Sequence, residues 1–217
     1  MQLLFLLLFI LSLNIQILYA KYQFDDCLKY KPYILNIFIK AYGLDYPWWF
    51  NLGQLKLESN CKWYMFSYDG LGSIGPAQIV ERFHDAKFKQ KGLTNWKVVP
   101  SEYFYAYFIL MQESLDATHP LCYTGPTIQK KMWAWFQIYN TGPKGVVNTA
   151  ITKAGICNHD IAKQYCRGKN ICVYKTANGC KQYRNSCDIN FDYSVLVYKY
   201  GQKYKPQGSI LSTWIFW

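Results

Sequence analysis

Apolar residues recur at helical spacing over most of the chain, and the breaks in that rhythm mark its elements. In YKPYILNIFIKA, Tyr30 to Ala41, they fall three and four positions apart and stop before Gly43, which predicts a first helix. A turn carrying Asp45 and Pro47 follows, and the next apolar run predicts a second helix that ends on one carboxylate, Glu58. Gly70, Gly72 and Gly75 interrupt the pattern and predict a loop or short irregular ribbon. PAQIVERFHDAKF restarts the helical period, with Pro76 near its first turn. SEYFYAYFILMQESL is apolar along most of its length and predicts a buried core helix with Ser101 as its N-cap. TIQKKMWAWFQIYN predicts another helix, closed by Gly142 and Pro143. DYSVLVYKYGQKY predicts a last helix or, on its β-branched content, a strand. The stretch from Cys157 to Cys187 is polar, dense in cysteine and free of long periodic runs, which predicts a disulfide-stapled loop inserted into a helical domain. The expected fold class is mostly α.

At 217 residues the chain suits one domain with a sizeable core, expected over residues 21–205 with a short tail at 206–217. The first twenty residues hold no Lys, Arg, Asp or Glu, and Leu3 to Leu13 is almost continuous Leu, Ile and Phe. That pattern predicts a signal peptide at residues 1–20, ending on Ala20, and hence a secreted, periplasmic or extracellular protein. An uncleaved membrane anchor is the alternative, although Asn14 and Gln16 shorten the apolar span below what a bilayer requires. Eight cysteines in an exported chain predict disulfides, with the pairing left open. Zinc at CNHD beside Cys166 and Cys172 is disfavoured, because the spacing fits no compact finger. No cofactor and no metal is expected, and no phosphate-cradling, dinucleotide-binding or zinc-protease motif occurs.

The net charge of +11 directs the chain toward anionic partners: nucleic acid, phospholipid or an anionic cell-wall polymer. Twenty tyrosines and eight tryptophans supply flat faces that stack on bases and on sugar rings alike. Lys and Arg are not interleaved with these aromatics in any one stripe, which places nucleic acid last among the three.

The chemistry centres on QLKLESNCKWYMFSYDGLGSIGPAQI. A carboxylate emerging from an apolar helix is partly desolvated, which raises its pKa toward neutrality and suits it to protonate a leaving oxygen. Glycines let the backbone approach a ligand closely, and an amide such as Gln78 can orient a substrate group or the acid. Together, LESN and SYDGLGSIGPAQI resemble the opening motifs of soluble lytic transglycosylases and related lysozyme-like muramidases. In that family a catalytic Glu-Ser pair precedes Ser-x-Gly-x-x-Gln-Ile. Glu58 and Ser59 match the first motif; Ser73, Gly75, Gln78 and Ile79 match the second. IYNTGPKGV resembles the third motif through Tyr139, Asn140, Gly142 and Val146, and DYSVLVYKY resembles the fourth with Tyr193 leading. The four motifs stand in family order between Tyr30 and Tyr204. Ile138 and Ser194 depart from the pattern, and the Cys157 to Cys187 block has no counterpart in it.

The resemblance implies a lysozyme-like domain and an enzyme acting on peptidoglycan glycan strands, with Glu58 catalytic. Ser59, Ser73, Gly75, Gln78, Ile79, Tyr139, Asn140 and Tyr193 are the implied substrate-binding residues. Lytic transglycosylases manage with one carboxylate, whereas glycoside hydrolases use two. Asp69 is the obvious second one, and its plainer role is to form a turn beside Gly70. Goose-type lysozymes share the early motif order, so transglycosylase and hydrolase both stay open. A catalytically silent wall- or sugar-binding protein is the reading from another class, and such a binder has no need of Glu58. Glu113-Ser114 repeats the Glu-Ser pair without a following glycine loop and reads as a surface helix end. His84, His119 and His159 stand isolated, and a thiol nucleophile at Cys122 is disfavoured in an exported chain.

Overall fold

The computed structural model describes residues 27–64, 72–123, 132–142, 144–176 and 178–207. The expected signal peptide, the tail from Gly208 onward, Asp69, Gly70 and Pro143 lie outside the described residues. What is described is mostly helical, as its apolar rhythm predicts. Consecutive helical segments Leu28–Tyr30, Lys31–Ile34, Leu35–Ile39 and Lys40–Tyr42 form one rod, α1 (residues 28–42), which stops at Gly43. Helix α2 (Trp49–Ser59) carries Glu58 in its last turn. A two-stranded hairpin, β1 (Ser73–Ile74) and β2 (Ile79–Val80), leads into α3 (Glu81–Gln90). Helices α4 (Pro100–Asp116), α5 (Met132–Thr141), α6 (Val146–Ala154) and α7 (His159–Tyr165) follow. A second ribbon, β3 (Asn170–Thr176) with β4 (Gly179–Asn185), precedes the last helix, α8 (Ser186–Gly201).

Helix α5 sets the layout. Every residue from Met132 to Ile138 is buried, and a helix apolar on all sides must be covered on all sides. On one flank Trp135 and Phe136 enter the main core, with Phe38 of α1, Phe50 of α2, and Tyr103 and Tyr107 of α4. On the other flank Trp133, Ala134 and Ile138 join a smaller core with Val147 and Ile151 of α6 and Phe191 of α8.

Helices α2 and α8 run antiparallel and meet backbone to backbone. A Cβ on Gly53 would lie 2.2 Å from the Val197 carbonyl oxygen and 2.6 Å from the Gly201 nitrogen. One on Gly201 would lie 2.9 Å from the Trp49 carbonyl oxygen. Glycine is thus the residue the crossing admits, and the close approach brings the end of α2 against Tyr193.

All eight cysteines pair: Cys27–Cys61, Cys122–Cys157, Cys166–Cys187 and Cys172–Cys180. Pairing removes the thiolates that zinc or a Cys122 nucleophile would need, and it fits an oxidising compartment. No helix among the described residues is long and apolar enough to cross a membrane.

Several sequence expectations are corrected. The helix expected from Pro76 begins only at Glu81, because Gly75 to Gln78 form the hairpin turn, with Gln78 itself left-handed at φ 52°. The cap expected at Ser101 is displaced: Val99 is the N-cap and Pro100 opens α4, where its missing N–H would be unpaired in any case. DYSVLVYKY is helix and not strand. Most of the stretch from Cys157 to Cys187 is regular structure and not loop: Asn158 caps α7 by accepting from Asp160 N (3.1 Å) and Ile161 N (3.0 Å), and β3 pairs with β4. Helix α6, which the apolar pattern did not announce, lies just before it.

Candidate active site

Glu58 leaves α2 half-buried, one residue before the buried Ser59. Its carboxyl is ringed by protein, and that desolvation raises its pKa from 4.5 to about 7 against the opposing hydrogen bond from Tyr193. The Tyr193 hydroxyl donates to Oε1, and among the described residues no hydrogen bond reaches Oε2. Burial pushes the phenols of Tyr103, Tyr107, Tyr139 and Tyr193 upward, and the charge of Glu58 pushes each further, which sets the carboxyl among four neutral hydroxyls. They come from three helices, α4, α5 and α8.

The hairpin beside this ring is held by α2, α4 and α5. Ser73 pairs with Val80 and Ile74 with Ile79. From α2, the Ser59 hydroxyl donates to the Pro76 carbonyl at 2.8 Å and also reaches the Leu55 carbonyl at 3.3 Å. From α4, the Tyr103 hydroxyl accepts from Ala77 N at 2.8 Å and donates to the Ile74 carbonyl at 2.9 Å. From α5, the Tyr139 hydroxyl donates to the Ala77 carbonyl at 2.8 Å. Gln78 closes the turn, its Nε2 donating to the Gly75 carbonyl at 2.9 Å. Gly75 is left-handed at φ +68°, and a Cβ there would lie 2.5 Å from the Tyr103 ring. Its lack of a side chain therefore serves Tyr103, where the sequence suggested a ligand. Ser73 and Ile79 are 5 % and 1 % exposed and build the hairpin. Removing the Tyr103 hydroxyl with Tyr103→Phe would strand a buried N–H and a partly buried carbonyl; a loss of about 2 kcal/mol in denaturant unfolding is expected. An unchanged midpoint would mean the hairpin is held by its other ties.

The structure thus gathers Glu58, Ser59, Gly75, Gln78, Tyr139 and Tyr193 around one hairpin and one carboxyl. Asn140 stands apart from that group: it is exposed, and its Nδ2 donates to Asn190 Oδ1 of α8 at 2.9 Å.

Five participants have no place among the sequence candidates: Tyr103, which holds the hairpin, and four residues of one hydrogen-bond chain. The Tyr46 hydroxyl donates to Asn51 Oδ1 (2.7 Å), and Asn51 Nδ2 donates to the Tyr107 hydroxyl (2.9 Å). Tyr107 in turn donates to Gln54 Oε1, and Gln54 Nε2 donates to the Tyr193 hydroxyl (2.9 Å), the group that donates to Glu58. Asn51 and Gln54 are fully buried. A signal was present: Asn51, Gln54 and Glu58 stand three and four residues apart on a largely apolar helix, which puts three polar side chains on one inward face.

The remaining candidates are accounted for locally. Glu113 pairs with Lys87 at 2.5 Å on the surface, and Ser114 donates to the Leu110 carbonyl at 2.7 Å. His119 sits against Thr152 at 2.9 Å, and His159 lies between the Trp133 and Phe191 rings. Among the described residues no group of His, Cys, Asp and Glu is placed to hold a metal ion. Compared with known proteins, the chain matches no protein-family model, no curated protein and no solved structure.

Proposed function

We propose that the chain is an exported lysozyme-like enzyme, a lytic transglycosylase that cleaves the β-1,4 bond between N-acetylmuramic acid and N-acetylglucosamine in peptidoglycan. The observation that carries this reading is a single carboxyl raised to about 7, hydrogen-bonded at one oxygen and, among the described residues, not at the other, beside a hairpin clamped by three helices. Such a group holds its proton near neutral pH and can also take one back. One carboxylate suffices for the transglycosylase route, whereas a hydrolase would need a second.

Glu58 gives its proton to the glycosidic oxygen as the bond from the muramic C1 breaks. The muramic acetamido group shelters the positive charge at C1. The Glu58 carboxylate then takes the proton of the same sugar's C6 hydroxyl, and that oxygen bonds to C1. The product is a 1,6-anhydro sugar, Glu58 is again protonated, and no water is consumed. The net charge of +11 and the four disulfides suit a protein that meets an anionic wall outside the cytosol.

Mass analysis of purified peptidoglycan digested with the protein tests this directly. Products ending in 1,6-anhydro-muramic acid are expected. Reducing ends would replace the proposal with a lysozyme using a second carboxylate, for which Asp69 is the candidate, and no released product would favour a silent binder.

A further inference from the structure

We propose that Gln54 and Tyr107, neither of which hydrogen-bonds the Glu58 carboxyl, are positioning residues: the hydrogen-bond chain through them fixes Oε1 as an acceptor and leaves Oε2 to carry the transferable proton. The inference rests on Glu58 being the acid of the reaction proposed above.

Five consecutive hydrogen bonds run from Tyr46 to Glu58, and every donor points toward the carboxyl. Each link sets the next. Tyr107 receives an N–H from Asn51, so its own hydrogen is directed to Gln54. Gln54 spends its carbonyl on Tyr107 and therefore presents its amide hydrogens to Tyr193. Tyr193, accepting from Gln54, turns its hydrogen to Glu58 Oε1. No amide in the middle can be turned alone without setting donor against donor or acceptor against acceptor, so the chain has one polarity as a unit.

Consequences for the carboxyl follow from this. An oxygen that already accepts a phenolic hydrogen is the poorer place for a second proton, so protonation falls on Oε2. A buried carboxyl with two equivalent oxygens would spend half its time with the proton facing the wrong way. The titratable groups facing Glu58 are Tyr103 and Tyr107 from α4, Tyr139 from α5 and Tyr193 from α8. All four stay neutral in the working range, so among the described residues none of these neighbours changes charge as Glu58 titrates.

The test uses the full chain carrying Tyr107→Phe, with Glu58 followed by carbon NMR of glutamate-labelled protein and assigned by comparison with Glu58→Gln. Loss of the Tyr107 hydrogen frees Gln54 to take the hydrogen of Tyr193, which deprives the carboxylate of its donor. The pKa of Glu58 is then expected to rise by about one unit, and kcat on peptidoglycan to fall about tenfold with KM little changed. Tyr46→Phe, at the far end, should shift Glu58 in the same direction by less, and it carries the test if Tyr107→Phe does not fold. A folded variant whose Glu58 titrates at the parental position, with kcat lowered only in proportion to the folded fraction, would overturn the proposal. The NMR readout needs no turnover, so a failure of the chain is distinguishable from a failure of the proposed activity.

Discussion

Glu58→Gln is expected to abolish lysis of purified peptidoglycan while making the protein more stable above pH 7. Gln keeps the size of the side chain and an oxygen for Tyr193 but has no proton to give, and loss of a lone general acid should lower turnover roughly 1,000-fold. The stability effect has a definite sign. Folding raises the pKa of Glu58 from 4.5 to about 7, because burial disfavours the charged form. Below pH 4.5 folded and unfolded chains both hold the proton, and the group neither helps nor harms. Between 4.5 and 7 the unfolded chain releases its proton first, so native stability is lost as pH rises. Above 7 the loss is complete, roughly 3 kcal/mol at 1.36 kcal/mol per pKa unit. Gln carries no such penalty at any pH. Urea unfolding of both proteins at pH 4.5 and pH 8 should therefore show a gap that opens only at the higher value. Equal curves at both would remove the desolvated carboxyl, and near-parental turnover would remove Glu58 from the chemistry.

Gly53→Ala should lower both stability and turnover. An alanine gains about 1 kcal/mol over glycine inside a helix, which alone would stabilise α2. Its methyl would lie 2.2 Å from a backbone oxygen of α8, however, and backbone cannot rotate away as a side chain can. Overpacking of this kind costs typically 1–3 kcal/mol, with rigid contacts at the upper end or beyond, so the clash wins. Relief requires α8 to move outward, and α8 carries Tyr193, the group bonded to Glu58. A thermal midpoint lowered by several degrees together with a drop in kcat is expected. A midpoint at or above the parental one would show that the two helices do not meet as closely as described.

The long apolar stretches made most of the helical frame legible. α1 ends at Gly43, α4 spans the apolar run after Pro100, and Glu58 sits at the end of α2 as its position in the run implied. Shorter elements carried too little pattern. The ribbon from Asn170 to Asn185 is exposed along most of both strands, so no alternation of apolar and polar residues could report it. Helix α7 is seven residues long, less than two helical periods. The hairpin at Ser73 was hidden because its turn contains a proline that also suits a helix start. At the site, Ser59, Gln78 and Tyr139 were found by motif, but their partners are backbone carbonyls of the hairpin, which no sequence pattern displays. Tyr107 and Tyr46 looked like two more rings among twenty tyrosines, and only their distance to Asn51 sets them apart.

Because α5 lends Trp135 to one core and Trp133 to the other, the cysteine-rich portion is not a detachable ornament. A trimmed version ending before Cys157 would keep Glu58 yet lose all of α8, uncovering Trp133 and taking away Tyr193 at once. Anyone seeking a minimal catalyst from this chain would do better to shorten the exposed β3–β4 tip than to truncate at either border of the block.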